Sequence, residues 1–160
     1  MAGDCFILID QVPGEAHDKD FAGAIDVSGW NWGASMRMDL SSAKGAKGAA
    51  DVQMFEFLHS IDSASAGLLT RCVRNVVVPK AVLTMRRAGG LKAQAYLEVT
   101  FKNVRIARVS QVFGAGSLIP TEHVTIAFEG VSFDYTPQSS EGSDKSGKHN
   151  FSWVAPATYS

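Results

Sequence analysis

The stretch Glu122-His123-Val124-Thr125-Ile126-Ala127-Phe128-Glu129-Gly130-Val131-Ser132-Phe133-Asp134-Tyr135 decides the fold class. Apolar and polar residues alternate along it, the two-residue period of a strand with one face buried. The phase then changes, because Val124, Ile126 and Phe128 share one parity and Val131, Phe133 and Tyr135 share the other. A shift of one residue turns every later side chain to the opposite face, so an irregularity is required at Glu129-Gly130 and a β-bulge is expected there. Residues 93–112 show the same change, from Leu97, Val99 and Phe101 to Val104 and Ile106, which predicts a bend near Lys102-Asn103. Bent strands of this kind turn the corners of a small barrel.

Outward from this stretch, period-two patterning predicts further strands at 4–9, 21–27, 30–38, 52–58, 76–87 (interrupted near Pro79) and 150–154. About eight strands fit a small β-barrel of two packed antiparallel sheets. One segment has a helical period instead. Ile61, Leu68, Leu69, Cys72 and Val73 fall on one stripe, with Ser65 as the expected N-cap and Asn75 as the left-handed stop. A helix so short must dock on the sheet to persist. Residues 41–50 and 137–148 have the composition of loops. No repeat or linker divides the chain, so residues 1–160 are expected to form a single domain.

Hydrophobic residues make up 46% and charged residues 19%, and the formal net charge is −1. That balance lacks the positive excess needed by nucleic acid or anionic lipid, so neither is an expected partner. The opening Met1-Ala2-Gly3-Asp4 has no basic and apolar signal region, and a chain made in the cytosol without membrane insertion is expected. Cys5 and Cys72 have no metal or redox spacing and read as small hydrophobes.

Enzymatic motifs are weak throughout. Gly142-Ser143-Asp144-Lys145-Ser146-Gly147-Lys148-His149 approaches a P-loop but has His149 where Ser or Thr should hold magnesium, and a strand pattern follows where a helix is needed. A polar turn is the better reading. His17-Asp18-Lys19-Asp20 lacks the spacing of a calcium loop and reads as a solvated turn. No G-x-S-x-G elbow marks a nucleophile, the four histidines are scattered, and no enzyme, cofactor or metal is expected. Trp30-Asn31-Trp32 is more informative. Trp30, Trp32, Ala34, Met36 and Met38 share one expected face, and Asn31, Gly33, Ser35 and Arg37 share the other.

The chain resembles the haemolysin-coregulated proteins (Hcp), which form the tube of bacterial type VI secretion systems. The likeness is carried by Phe6-Ile7-Leu8-Ile9, by Gly14-Glu15 followed by Asp18, and by Ile25-Asp26-Val27 before Trp30-Asn31-Trp32-Gly33. It continues through Leu83-Thr84-Met85-Arg86-Arg87-Ala88-Gly89-Gly90, Val109-Ser110, Glu122–Phe128 and Tyr135-Thr136-Pro137-Gln138. Each motif is weak alone, and their order and spacing together are specific. The resemblance implies a barrel with one flanking helix that assembles into stacked hexameric rings. It implies export without a signal peptide, into the medium or target cells, with small effector proteins held in the lumen. It implies spike and sheath proteins as partners, and it places Asn31, Ser35 and Arg37 on the channel side. Ser41, Ser42, Lys44, Gly45, Lys47 and Gly48 replace a Gly-rich run of many members and are expected to contact a neighbouring subunit or ring. No toxin domain is expected after the final strand. The rival reading is a monomeric β-barrel that binds a small ligand inside.

Overall fold

The computed structural model describes residues 4–41, 47–87, 93–137 and 147–156. Its axis is strand β8 (Gln94–Val112), whose alternating Leu97, Val99 and Phe101, then Val104 and Ile106, are buried. One edge of β8 pairs with β7 (Val77–Arg87), followed by β1 (Asp4–Ile9) and β2 (Ile25–Asp26). Along the other edge β10 (Gly130–Tyr135) takes the first half of β8 and β9 (Thr121–Ala127) takes the second. Beyond β9 come β6 (Phe55–Ser60) and β3 (Gly29–Asn31), and β11 (His149–Val154) flanks β10. All these pairings are antiparallel and make one nine-stranded sheet, and β4 (Ala34–Asp39) with β5 (Lys47–Val52) makes a separate two-stranded ribbon.

The sheet curls without closing. Val27 N–H donates to the Cys5 carbonyl at 2.9 Å and Ser28 N–H donates to the Leu58 carbonyl at 2.8 Å. Adjacent residues therefore bond to β1 near one end of the sheet and to β6 near the other. No ladder joins the ends among the described residues, because the edge strands β2 and β3 are only 2 and 3 residues long. The mainly β chain with two antiparallel sheets and one helix is as expected, and the expected small barrel is corrected to an open curled sheet with a projecting ribbon. Phe55, Phe57 and Phe101 fill its concave side, all at 0% exposure, with Phe55 and Phe101 centroids 4.8 Å apart.

The changes of phase have a shared origin. Asn103 adopts φ 50°, its side-chain amide donates to the Glu129 carboxylate at 2.8 Å, and Glu129 N–H donates to the Lys102 carbonyl at 3.0 Å. Arg105 lies opposite Ala127 and Lys102 opposite Gly130, an interval of three residues on both strands. Both strands bend in step, so Glu129-Gly130 is not a bulge with one extra residue. The register shifts lie instead between Ile106 and Arg108 in β8 against β9, and between Met85 and Arg86 in β7 against β8. Pro79, which has no N–H to give, sits opposite Asn103 where the β7 ladder skips.

Helix α1 (Ser65–Arg74) stops at Asn75, φ 51° and ψ 45°, as expected. Its N-cap is Ala64, and the Asp62 side chain accepts the Ala64 N–H at 2.9 Å, because Ser65 is turned into the core. Leu68 is the only member of the expected stripe that is fully buried; Leu69 and Val73 are exposed. Three strand expectations also change. Residues 21–27 contribute only β2, because Gly23 turns the chain at φ 81°. Residues 30–38 split at Trp32-Gly33 into β3 and β4. The second half of the expected 41–50 loop is β5.

Candidate functional site

The register of four strands builds a polar row. Asn31 lies opposite Glu56, Glu56 opposite Thr125, and Thr125 opposite Arg108. Directly paired residues present their side chains on the same face, and here that face is the one turned away from the phenylalanine core. Asn31, Glu56 and Arg108 are exposed and Thr125 is half-buried. The row borders a shallow depression of about 260 Å³ that Ser110 and His123 also line. Trp30 stacks on Phe55, with centroids 5.8 Å apart, and Trp32 packs among Phe128, Phe133 and Phe151 at 6.4 Å each. The tryptophans therefore anchor β3 and leave Asn31 on the outer face.

Ser35 and Arg37 do not join Asn31. After Gly33 the chain leaves the sheet, and all six residues of β4 are exposed, including Met36 and Met38. The expected common face of Trp30, Trp32, Ala34, Met36 and Met38 ends at Trp32. Of the expected contact loop, Ser41 donates its N–H and hydroxyl to the Asp39 carboxylate. Lys47 and Gly48 lie on β5 opposite Asp39 and Met38. Gly48 lets the Met36 thioether cross its Cα, since a Cβ there would come within 2.5 Å of the sulfur. Ser42, Lys44 and Gly45 lie outside the described residues.

The opposite face of the same strands carries a buried polar cluster that no motif spacing marks. His59, Glu122 and Gln111 stand in register on β6, β9 and β8. His59 Nε2 is 2.7 Å from Glu122 Oε2, the Ser65 hydroxyl donates to the same oxygen at 2.9 Å, and Gln111 donates to Oε1 at 2.8 Å. A carboxylate oxygen only accepts, which assigns the His59 proton to Nε2. Nδ1 has no hydrogen bond, and Asp62 Oδ1 is 3.8 Å away. His59 is 1% and Glu122 0% exposed. The cluster ties α1 to three strands, with His59 and Glu122 sealed from solvent.

A second cluster explains His17-Asp18-Lys19-Asp20. Arg86, buried on β7 and in register with Asp4, binds Asp18 through its guanidinium and also pairs with Asp4 at 3.2 Å and Asp20 at 3.5 Å. Its Cζ lies 5.1 Å from the Phe6 ring and 4.9 Å from the Phe21 ring, and those rings stack at 4.6 Å. The Arg86 hydrogen bond, followed by the Asp20 N–H, holds the Asp18 carboxyl below the usual carboxylate range. The supposed surface turn is a clasp that closes the 10–24 segment over β1 and β7. Parity could have exposed the first cluster: His59 follows Phe55 and Phe57, Glu122 precedes Val124 and Ile126, and each stands in a buried phase, whereas Arg86 lies opposite in parity to Ala81, Leu83 and Met85.

Cys5 and Cys72 are free and half-buried, and burial pushes the Cys5 thiol up to about 12. Among the described residues, no group of three or more His, Cys, Asp or Glu is arranged to hold a metal ion, and no helix is long and apolar enough to cross a membrane. The P-loop-like run lies outside the described residues up to Ser146, and His149 opens a strand.

The model of the family described as "Type VI secretion system effector, Hcp" matches residues 6–135. Protein hcp1 of Pseudomonas aeruginosa is 38% identical over 154 residues, covering 96% of this chain and 95% of that protein. The crystal structure of Hcp1 from Salmonella typhimurium is similar with a TM-score of 0.75 at 29% identity, covering 96% of this chain and 95% of that one. A type VI secretion system effector from Yersinia pestis reaches 0.76 at 30% identity, covering 95% and 100%. Matched across most of its length in both sequence and fold, the chain belongs to the Hcp family of type VI secretion proteins.

Proposed function

We propose that this chain is the repeating subunit of a type VI secretion tube. Copies close into hexameric rings, the rings stack, and the row that begins at Asn31 lines a bore in which small effector proteins travel. The work is mechanical, and the spike and sheath of the apparatus are the further partners. The observation that carries this reading is ribbon β4–β5. Met36 and Met38 are 50% and 63% exposed, and Leu40 just beyond them is 81% exposed. A two-stranded ribbon alone is marginal in water, and an apolar edge of this kind marks a protein contact. A neighbouring copy supplies the cover.

Asn31 suits a bore because a neutral amide offers donors and acceptors without the desolvation cost of a charge. Ser35 and Arg37, carried on the ribbon, take part in contact between copies. The rival reading, a ligand held inside the monomer, is disfavoured because Phe55, Phe57 and Phe101 occupy the space it needs. Sedimentation at micromolar chain concentration tests the proposal. A species of six chains is expected, and Met36→Ser with Met38→Ser should weaken assembly while leaving the circular dichroism spectrum unchanged. A native chain that sediments as a monomer contradicts it.

A further inference from the structure

The charges of this chain nearly cancel, yet the two ends of helix α1 carry opposite sign. At its N-terminal end lies a groove of about 400 Å³ with Val27, Ile61 and Ile119 as apolar lining and the carboxyl groups of Glu15, Asp26 and Asp62 around them; His17 also lines it, and no Lys or Arg does. The Asp62 carboxylate accepts the Glu15 N–H at 3.3 Å, which fixes the acidic loop to the start of the helix. At the C-terminal end Val73 is 81% exposed, with Val76 and Val77 beside it at 39% and 41%. Arg74 and Arg105 flank these valines. Arg105 is held there by bonds to the Asn75 backbone and side-chain oxygens at 2.8 and 2.9 Å, and Arg74 makes no ion pair among the described residues. A helix of 10 residues separates the two features, about 15 Å at 1.5 Å per residue.

Neither feature can pair with its own kind. A two-fold contact would set carboxylates against carboxylates or arginines against arginines, and like charges across an interface are strongly unfavourable. Groove and valine patch are complementary to each other, apolar centre to apolar centre and anionic rim to cationic rim. We infer that the Val73, Val76 and Val77 patch of one copy seats in the Glu15, Asp26 and Asp62 groove of the next. The valines fill the groove, and Arg74 and Arg105 meet the carboxylates at its rim. The contact is head to tail, the type that generates a ring when the rotation closes. This rests on the assembly reading above and deepens it by naming the two surfaces that meet.

Two variants with exposed substitutions test it: Val73→Asp with Arg74→Glu on the patch, and Glu15→Lys with Asp26→Lys on the groove. Thermal melts confirm that each is folded, and sedimentation reads association. Each variant alone should be monomeric where the native chain assembles, with association weakened at least about a hundredfold by the like charges introduced. An equimolar mixture should assemble again, because the native patch of one variant meets the native groove of the other and the reversed patch faces the reversed groove. A chain carrying Arg74→Glu together with Glu15→Lys and Asp26→Lys should associate with itself again. If the native chain assembles but either variant keeps the native size, or the mixture stays monomeric, the contact is refuted and the assembly reading stands. A monomeric native chain refutes both.

Discussion

Removing the Glu122 carboxylate should unfold this protein more readily than any exposed charge substitution. Glu122→Ala strands two donors that have no route to water: His59 Nε2, on a ring 1% exposed, and the Ser65 hydroxyl, on a residue 5% exposed. Each buried orphan costs about 1–3 kcal/mol. Gln111 lies toward solvent and can turn away, so it adds little. The sum agrees with the roughly 3–5 kcal/mol lost on breaking a buried pair by deleting one partner. For a chain of this length each kcal/mol moves Tm by about 2–4 °C, so a fall of roughly 10 °C is expected. Chain concentration must be held fixed, because association raises apparent stability. Glu122→Gln should fall between native and alanine, since the introduced amide keeps one acceptor and turns a donor toward the others. In a cycle with His59→Ala, the two losses should be non-additive by more than about 1 kcal/mol. A Glu122→Ala variant that melts within about 2 °C of the native protein would refute the reasoning, as would simple additivity.

Asp18 titrates below the unfolded carboxyl value of about 3.9, so its contribution is present above that pH and is lost as pH falls through the depressed folded value; Asp18→Asn should flatten the acid end of the stability curve in urea titrations. Cys5 has the opposite sign: its folded value of about 12 lies above that of an unfolded thiol, about 8.5. Its contribution is intact below that pH and falls as pH rises toward 12, and Cys5→Ala should remove this slope. Alkylation of Cys5 at pH 8 should be far slower than that of a free thiol, and rapid labelling contradicts the burial argument. Asn31→Gln should leave the ring assembled and the tryptophan emission unchanged while abolishing protection of a lumen-borne effector from proteolysis; full protection places Asn31 outside the bore.

The long strands were legible because burial on one face writes a period of two into the sequence, and the bend at Asn103 was legible because both partners changed phase together. What the period could not show was which strands pair. The break after Trp32 has no signature in parity, since Ala34, Met36 and Met38 continue the alternation of Trp30 and Trp32 although β4 has left the sheet. Residues 47–50, the second half of the expected loop, are small enough to read as loop, yet they pair because β4 offers a free edge. His59, Glu122 and Arg86 were passed over for another reason: a search for catalytic spacing looks along the chain, whereas these groups meet across it, 63 residues apart for His59 and Glu122 and 68 for Arg86 and Asp18. A polar residue in a buried phase was the available signal for His59 and Glu122, and Arg86, out of phase with Leu83 and Met85, gave none.

Electron cryo-microscopy of the purified native chain tests the central claim most directly. The account predicts a hollow particle of sixfold symmetry, with Asn31, Glu56, Thr125 and Arg108 facing the bore and ribbon β4–β5 against a neighbouring copy. Single curled sheets without partners, or rings that turn the Asn31 row outward, would contradict it.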